Sequence, residues 1–265
     1  MEFQTLNNKI KINHNKPIGK VLYIVEGNTR EINIIANIFL NILEYEEVVS
    51  LNRNGRRKFR KFSSKSNPNS QIVIINSKSS NIKTIDNKEF IDEQIEILKE
   101  YGLEYEYRNS AIYYIFDGDR KEDKNNIMKL IENYNNSREP SKENEYDAIG
   151  GMLLLSYPAI ETFIISNFEK ELFKFNEKFD FSANNLKKYI DIQKYQDSRI
   201  NEETIKNAFY QMIESLNEIY INKINLDDIS NFNKKVYNYE IQNENRYMIS
   251  LLLISLVDLG IIEMI

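Results

Sequence analysis

The sequence predicts an α/β protein in which helices flank a parallel β-sheet and a helical subdomain follows at the C-terminus. Four short runs are apolar throughout, which is typical of strands buried on both faces: "KVLYIV", "QIVIIN", "AIYYIF" and "GMLLLS". The segments after these runs carry apolar residues at helical spacing, and strands that alternate with helices indicate a parallel sheet. After about residue 170 only helical patterns follow, so strands are expected in the first part alone.

Each predicted strand is followed by its own predicted helix. The first two pairs are "KVLYIV" with "REINIIANIFLNILEY", and "QIVIIN" with "KEFIDEQIEILKEYG", where Gly102 is a suitable C-cap. The next two pairs are "AIYYIF" with "KEDKNNIMKLIENYNN", and "GMLLLS" with "PAIETFIISNF", where Pro158 suits a helix start. These four pairs predict an α/β domain over residues 20–170.

The remaining residues, 171–265, predict a helical subdomain for docking or oligomerisation, with a homodimer as one possibility. Helical patterns occupy "NNLKKYIDIQKY", "NEETIKNAFYQMIESLNEIYINKI" and the apolar end of the chain, "YMISLLLISLVDLGIIEMI". Asp258 and Glu263 interrupt the apolar end, which favours a buried helix or a dimer seam over a membrane span. No signal peptide precedes the first strand, so we expect a cytoplasmic protein that does not enter a membrane.

The composition excludes several classes of chemistry. The chain of 265 residues has no cysteine, which excludes disulfides, thiol nucleophiles, zinc fingers and iron–sulfur clusters. Its one histidine, His14, argues against His-dependent triads and multi-histidine metal sites. The formal net charge of −5 shows that any phosphate binding must come from a local cluster. Chemistry must therefore use carboxylates, hydroxyls, Lys, Arg and Tyr.

Three acids follow apolar runs directly, which is where ligands bind in open parallel sheets. Glu26 follows the first run, and Asp117 and Asp119 follow the third, with Gly118 between them to allow a sharp turn. If the first and third strands are neighbours, the three carboxylates converge, and their repulsion is relieved by a divalent cation. An all-oxygen ligand set suits Mg2+ or Mn2+.

A phosphate-sized anion site is expected beside these carboxylates. Gly27 opens the backbone just before a helix, and Asn28 and Thr29 are good N-cap types. Because helix N-termini attract anions, a metal site beside one suggests phosphodiester chemistry. The alternative is that each motif alone is an ordinary turn, since Asp-Gly is among the commonest turn dipeptides. Their joint occurrence at strand ends favours the metal site.

These motifs resemble those of the Toprim fold, the metal-binding α/β domain of topoisomerases, primases, OLD-type nucleases and several bacterial anti-phage proteins. The resemblance covers roughly residues 20–168 and rests on the Glu in "IVEGNTRE", the DxD in "FDGDR", and a third element, "LLLSYPAIETFI". The third element is similar to the S-N-P-x-F-E element of RloB-like and related abortive-infection proteins. The resemblance implies that Glu26 is a general acid/base or metal ligand, that Asp117 and Asp119 hold the metal, and that Glu161 is an additional carboxylate.

The sequence departs from the family's pattern in two places. Many members with nuclease activity have an acid four residues after the first Glu, whereas Arg30 stands there and Glu31 follows it. Either Glu31 substitutes through a longer turn, or a second metal position is weaker. Tyr157 and Ile160 occupy positions where the related element favours Asn and Phe.

One segment has a clear positive bias. The stretch "LNRNGRRKFRKFSSKS" contains no acid and interleaves two Phe residues with its basic ones. Such a segment predicts phosphate contacts from its basic side chains and base stacking on a Phe. The alternative is a solvated loop or hairpin that its Phe residues anchor. The candidate nucleic-acid-binding residues are Arg53, Arg56, Arg57, Lys58, Arg60 and Lys61.

The sequence and the resemblance together lead to the hypothesis of a Mg2+-dependent nuclease that cleaves DNA or an RNA such as tRNA. The resemblance implies a toxic effector of a bacterial anti-phage defence system. Because the chain has no ATP-binding motif, it also implies a separate ATPase partner. The main alternative is a non-catalytic module that binds nucleic acid or a partner protein on the same scaffold. A third alternative is a nucleotidyl- or phosphoryl-transferring enzyme using the same metal site.

Overall fold

The structure is a computed structural model that describes most of the chain. The described residues are 2–4, 9–27, 29–53, 56–77, 92, 94–96, 98–99, 105, 110–118, 124–140, 150–170, 183–242 and 247–265. For residues 2–4, 51–53, 56–58 and 139–140 the description covers the backbone alone. Three residues with a predicted role, Asn28, Gly102 and Asp119, lie outside the described residues.

The described part of the chain contains short strands and helices in alternation. The strands are β1 (Glu2–Gln4), β2 (Ile10–Ile12), β3 (Lys20–Val25), β4 (Tyr45–Arg53), β5 (Arg56–Ser64), β6 (Gln71–Asn76), β7 (Ser110–Asp117), β8 (Asn135–Pro140), β9 (Gly150–Tyr157), β10 (Lys223–Asn225), β11 (Ile249–Ser250) and β12 (Ile262–Met264). The helices are α1 (Arg30–Asn41), α2 (Lys124–Asn133), α3 (Glu161–Phe168), α4 (Ala183–Gln193), α5 (Glu202–Glu218), α6 (Ile229–Gln242) and α7 (Leu252–Asp258). Residues 94–96 and 98–99 are also helical, within the predicted second helix.

The central sheet is mixed. Its strand order is β11-β9-β7-β3-β6-β5-β4, and β8 also pairs with β9. Strand β3 is parallel to β6 and β7, whereas β5 is antiparallel to β4 and β6, and β8 and β11 are antiparallel to β9. The α/β class and the four predicted strands are therefore confirmed, but the prediction of an entirely parallel sheet is wrong. The connections from β4 to β5 and from β5 to β6 are too short for the crossover that parallel pairing needs.

Two predicted helices end earlier than the sequence pattern indicated. Helix α1 stops at Asn41 and Tyr45 already begins β4, although the apolar spacing of the segment continues. Helix α2 stops at Asn133, and the chain returns along β9 as β8. In both segments tertiary pairing with the sheet overrides local helix propensity.

The chain divides into two compact units. The first comprises Pro17–Ile115 and Asp123–Leu153, and the second comprises Met1–Lys16, Phe116–Glu122 and Leu154–Ile265. The core of the first unit is built on β3, whose residues Val21 to Val25 are all 0% exposed. There the Tyr23 ring stacks on Tyr113, with the ring centroids 5.2 Å apart. Continuous burial of successive residues means that both faces of β3 are covered, as its apolar run predicted.

The second unit contains strands that the sequence pattern did not predict. Strand β1 pairs with β10 and strand β2 pairs with β12, both antiparallel, so the N-terminal residues are part of this fold. The expectation of no strand after residue 170 is therefore wrong. These strands are two or three residues long, which is too short for the alternation of apolar and polar residues to be recognised in the sequence. They form only by pairing with distant segments.

Within residues 171–265 the described part of the chain is otherwise mainly helical. Helix α4 begins one residue before its predicted segment, helix α5 lies within its own, and α7 forms the buried centre of the apolar C-terminal end. Helix α6 was not predicted, although Ile229, Phe232, Val236 and Tyr237 mark one apolar face of it. Among the described residues, no helix combines the length and the apolar character needed to cross a membrane.

Candidate metal centre

The first predicted motif lies at the end of β3, in the first unit. Glu26 is half-buried, and its backbone N–H donates to the Ile115 carbonyl of β7 over 3.2 Å. Strands β3 and β7 are parallel neighbours, and Val25 lies opposite Ile115. The expectation that the first and third predicted strands are neighbours is therefore confirmed. Consequently Glu26 and Asp117 follow the carboxyl ends of adjacent parallel strands.

The acid displaced by one position folds back toward this motif. Glu31 lies in the first turn of α1, and its carboxylate occupies the space where a side chain at Gly27 would lie. A larger residue at position 27 would displace the Glu31 carboxylate, which is the end of a flexible side chain. Thr29 is at the N-cap of α1, as predicted, but makes no side-chain capping hydrogen bond. Glu26 and Glu31 therefore belong to one turn of the chain.

The second motif is described as far as Gly118 and lies in the second unit. Asp117 ends β7 and is half-buried, and its Oδ1 accepts a hydrogen bond from the Ile160 N–H over 2.8 Å. Ile160 is the N-cap residue of α3, so the Asp117 carboxylate satisfies one of the N–H groups that a helix start leaves unpaired. A carboxylate at this position also interacts favourably with the helix dipole.

Gly118 is enclosed by the end of β9. Its N–H donates to the Ser156 carbonyl over 2.7 Å, and a side chain at this position would overlap the Tyr157 ring. Gly118 is therefore required by close packing as well as by the turn. The sequence pattern indicated the glycine but not the aromatic ring that demands it.

Glu161 is the first residue of α3 and is only 2% exposed. Lys187 of α4 forms a long ion pair with it, with Nζ 3.8 Å from Oε1, and the Lys187 side chain is 52% exposed. The same helix start thus carries the backbone contact of Asp117 and the buried carboxylate of Glu161. Helix α3 begins at Glu161 and not at Pro158, which follows a cis peptide bond, so the predicted helix start is wrong.

The predicted carboxylates thus fall into two pairs. Glu26 and Glu31 lie on either side of Gly27 in the first unit, whereas in the second unit Asp117 binds the N–H of Ile160, the residue before Glu161. Within the described ranges, no group of three His, Asp or Glu side chains is arranged to hold a metal ion. Asp119, the fifth predicted ligand, lies outside those ranges.

The basic segment forms an antiparallel hairpin of β4 and β5, here called the basic hairpin (residues 45–64). Arg60 is buried, and its guanidinium donates to both Glu47 oxygens, from Nε to Oε1 over 2.7 Å and from Nη2 to Oε2 over 2.6 Å. The same guanidinium lies 4.9 Å from the centre of the Phe62 ring. Arg60 therefore has a structural role within the hairpin, whatever its neighbours bind.

The surroundings of Lys61, another basic residue of the hairpin, differ from those of Arg60. Lys61 is half-buried, and burial followed by the positive charge of Lys20 lowers its pKa. A bound anion would stabilise the charged form of an ammonium group in such surroundings. For Arg53, Arg56, Arg57 and Lys58, only the backbone, within β4 and β5, is described.

Comparisons of the chain with protein-family models, with curated proteins and with solved structures find no match. The functional interpretation therefore rests on the residues and their geometry. Sequence reasoning missed two side chains at the candidate centre, Tyr157 over Gly118 and Lys187 beside Glu161. The signal for Tyr157 was its place between the end of a strand and a Pro, but no local pattern identifies the Lys187 contact.

Proposed function

We propose that this chain is a Mg2+- or Mn2+-dependent nuclease of the Toprim type, which hydrolyses phosphodiesters in DNA or RNA. The observation that carries the proposal is the parallel pairing of β3 with β7, with Val25 opposite Ile115. It supports the proposal because Glu26 and Asp117 each directly follow one of these two strands, and ligands bind beyond the carboxyl ends of parallel strands.

The residues fit a divalent cation by their chemistry. Glu161 is 2% exposed and adds a carboxylate to the helix start whose Ile160 N–H binds Asp117. Carboxylate oxygens are the preferred ligands of Mg2+ and Mn2+. The ligands proposed are Glu26, Asp117 and Asp119, with Glu31 and Glu161 as additional carboxylates.

In the proposed mechanism the chain's own side chains orient the reactants and move a proton. The Toprim resemblance leads us to assign Glu26, which precedes the start of α1, as the general acid or base beside the scissile phosphate. When bound, the cation would polarise a phosphoryl oxygen and activate a water molecule. The hydrogen bond from the Ile160 N–H to Asp117 Oδ1 would orient the Asp117 carboxylate as a metal ligand.

Substrate binding is assigned to the basic hairpin. Arg53, Arg56, Arg57 and Lys58 would contact phosphates, together with Lys61, whose lowered pKa reflects burial beside Lys20. The Toprim resemblance further leads us to propose a toxic effector of anti-phage defence that acts with a separate ATPase, with residues 171–265 available for docking or self-association.

A second candidate function is a non-catalytic module on the same scaffold. The observation that favours it is the structural use of the predicted ligands, because Asp117 caps α3 and Glu31 packs against Gly27. On this view the acids shape two turns and hold no ion, and the chain binds nucleic acid or a partner without cleaving it.

Incubation with plasmid DNA and total RNA, with Mg2+, with Mn2+ and with a chelator, separates the two functions. We expect cleavage that requires the metal, and its loss in Glu26→Gln and Asp119→Asn. Glu214→Gln is the matched control, because it makes the same change of charge at an exposed position of α5. The nuclease proposal is refuted if the wild-type protein shows no metal-dependent cleavage, or if both site variants still cleave.

The substrate surface has a separate test in the salt dependence of nucleic-acid binding. Replacing Arg56, Arg57 and Lys58 together by Gln removes three proposed phosphate contacts. The plot of log K against log salt concentration should then become less steep by about 0.7 to 0.9 for each lost contact. An unchanged slope excludes this part of the hairpin as a principal contact.

A further inference from the structure

We infer that Tyr157 is a positioning residue whose aromatic ring holds the turn at Asp117 and Gly118 in the shape needed for metal binding. The inference deepens the proposed function and rests on it for the identity of the ion. Every residue that carries it belongs to the second unit and lies in the described part of the chain.

The ring of Tyr157 lies directly on the Gly118 backbone. Tyr157 is the last residue of β9 and is 2% exposed, so the ring is fixed by its surroundings. A Cβ at position 118 would overlap ring atoms Cδ1 and Cε1 and would lie 3.2 Å from the Ser156 carbonyl oxygen. The ring and the glycine are therefore complementary in shape, and neither can change size alone.

Two hydrogen bonds connect the same turn to the segment around Tyr157. The Gly118 N–H donates to the Ser156 carbonyl over 2.7 Å, and the Ile160 N–H donates to Asp117 Oδ1 over 2.8 Å. One short segment, residues 156–160, therefore contacts the turn through a carbonyl, a ring and an N–H.

The segment around Tyr157 is itself held in place. Thr162 Oγ1 of α3 donates to the Tyr157 carbonyl over 2.9 Å. The Ser156 and Ser250 hydroxyls form a buried hydrogen bond of 2.8 Å between β9 and β11. The ring thus rests on a fixed backbone, as a group that orients metal ligands requires.

The hydroxyl of Tyr157 is not the group that positions the turn. Within the described residues no hydrogen-bond partner lies near this buried oxygen. Burial, and then the charges on Glu240 and Tyr237, raise the pKa of Tyr157 well above its usual value, so the hydroxyl stays neutral. Phe at this position keeps the ring and removes only the hydroxyl, which makes Tyr157→Phe the conservative control.

The experiment measures Mg2+ and Mn2+ binding to the full chain by calorimetry, with unfolding by urea measured in parallel. Tyr157→Phe should bind Mg2+ with the wild-type affinity. Tyr157→Val and Gly118→Ala should each weaken binding about 10- to 100-fold, the range found for residues that orient metal ligands. The double variant Gly118→Ala/Tyr157→Val should bind more tightly than Gly118→Ala alone, because removing the ring makes room for the new methyl group.

The outcomes separate this inference from the proposed function. Wild-type protein that binds neither ion refutes the proposed function. Wild-type binding that Tyr157→Val leaves unchanged, despite lower stability, overturns the positioning role alone and leaves Tyr157 as a core residue. If Tyr157→Val does not fold, the test passes to Tyr157→Leu, in which Gly118→Ala must be better tolerated than in the wild-type background. Equal effects of Gly118→Ala in both backgrounds overturn the inference.

Discussion

The buried ion pair of the basic hairpin allows a quantitative prediction about stability. Arg60 binds Glu47 through two hydrogen bonds of 2.7 and 2.6 Å, and the exposed fractions of the two side chains are 9% and 30%. Replacing Glu47 by Ala removes both bonds and leaves a buried guanidinium without its carboxylate. Breaking a fully buried pair in this way costs about 3 to 5 kcal/mol, whereas exposed pairs contribute about 0 to 1 kcal/mol. Because Glu47 is partly exposed, we expect the free energy of unfolding to fall by about 2 kcal/mol.

An exposed ion pair provides a control for the buried one. Lys99 and Glu96 form an ion pair of 2.7 Å whose side chains are 50% and 68% exposed. Glu96→Ala removes the same chemical group and should lower the free energy of unfolding by less than about 0.5 kcal/mol. The pairs differ in burial and also in the number of hydrogen bonds, since Arg60 makes two to Glu47 and Lys99 makes one to Glu96.

Urea denaturation followed by circular dichroism measures both changes, and a double-mutant cycle isolates the coupling. Arg60→Leu should be less damaging than Glu47→Ala, because it leaves the charge at the more exposed partner. The double variant Glu47→Ala/Arg60→Leu should be more stable than Glu47→Ala alone, since it contains no buried unpaired charge. Equal losses from Glu47→Ala and Glu96→Ala would contradict the reasoning, as would a double variant less stable than Glu47→Ala.

Three further predictions concern the second unit. Asp117→Asn keeps an oxygen for the Ile160 N–H, so the unfolding temperature of the metal-free protein should change little while Mg2+ binding is lost. Asp117→Ala should also lower the free energy of unfolding by about 1 kcal/mol. Tight Mg2+ binding by Asp117→Asn would contradict the ligand role. Asn207→Ala removes a side-chain amide that donates to carbonyls at the C-terminal end of α3. The free energy of unfolding measured by urea denaturation should fall by about 1 to 3 kcal/mol. An unchanged urea midpoint would show that these carbonyls need no partner. The hydrogen bond from Lys206 lowers the pKa of Glu202 below its usual value of 4.5. The stability that this interaction contributes is therefore complete above pH 4.5 and is lost as the pH falls through the lowered pKa. Lys206→Met should reduce the loss of stability in acid, and an unchanged dependence of stability on pH would exclude the contribution.

The four predicted strands and most of the helices follow from local patterns. Strand β3 is buried at every position from Val21 to Val25, and the sequence shows this directly as an uninterrupted apolar run. Helix α5 is marked by its apolar face and begins at Glu202, after the N-cap residue Asn201, whose side chain forms a capping box with Thr204. Burial and capping act over a few neighbouring residues, so a single sequence carries enough information to predict them.

The candidate site was predictable in its residue types but not in its contacts. An acid directly after an apolar run indicated Glu26 and Asp117, and the glycines beside them indicated tight turns. The contacts of those glycines were not predicted, since the Glu31 carboxylate fills the space at Gly27 and the Tyr157 ring fills the space at Gly118. The second of these depends on a packing contact between residues 39 positions apart (157 − 118), which leaves no local signature.

By itself, the amino-acid sequence determined the α/β class, the four buried strands, the positions of the acids and the chemistry available to them. Only the tertiary structure decided that the basic segment is a hairpin in a mixed sheet, that Arg60 pairs with Glu47, and that Ile10–Ile12 joins Ile262–Met264. The physical reason is the range of the interactions involved. Hydrophobic periodicity and capping act between neighbours in sequence, whereas strand pairing, buried ion pairs and steric fit depend on which distant segments meet when the core forms.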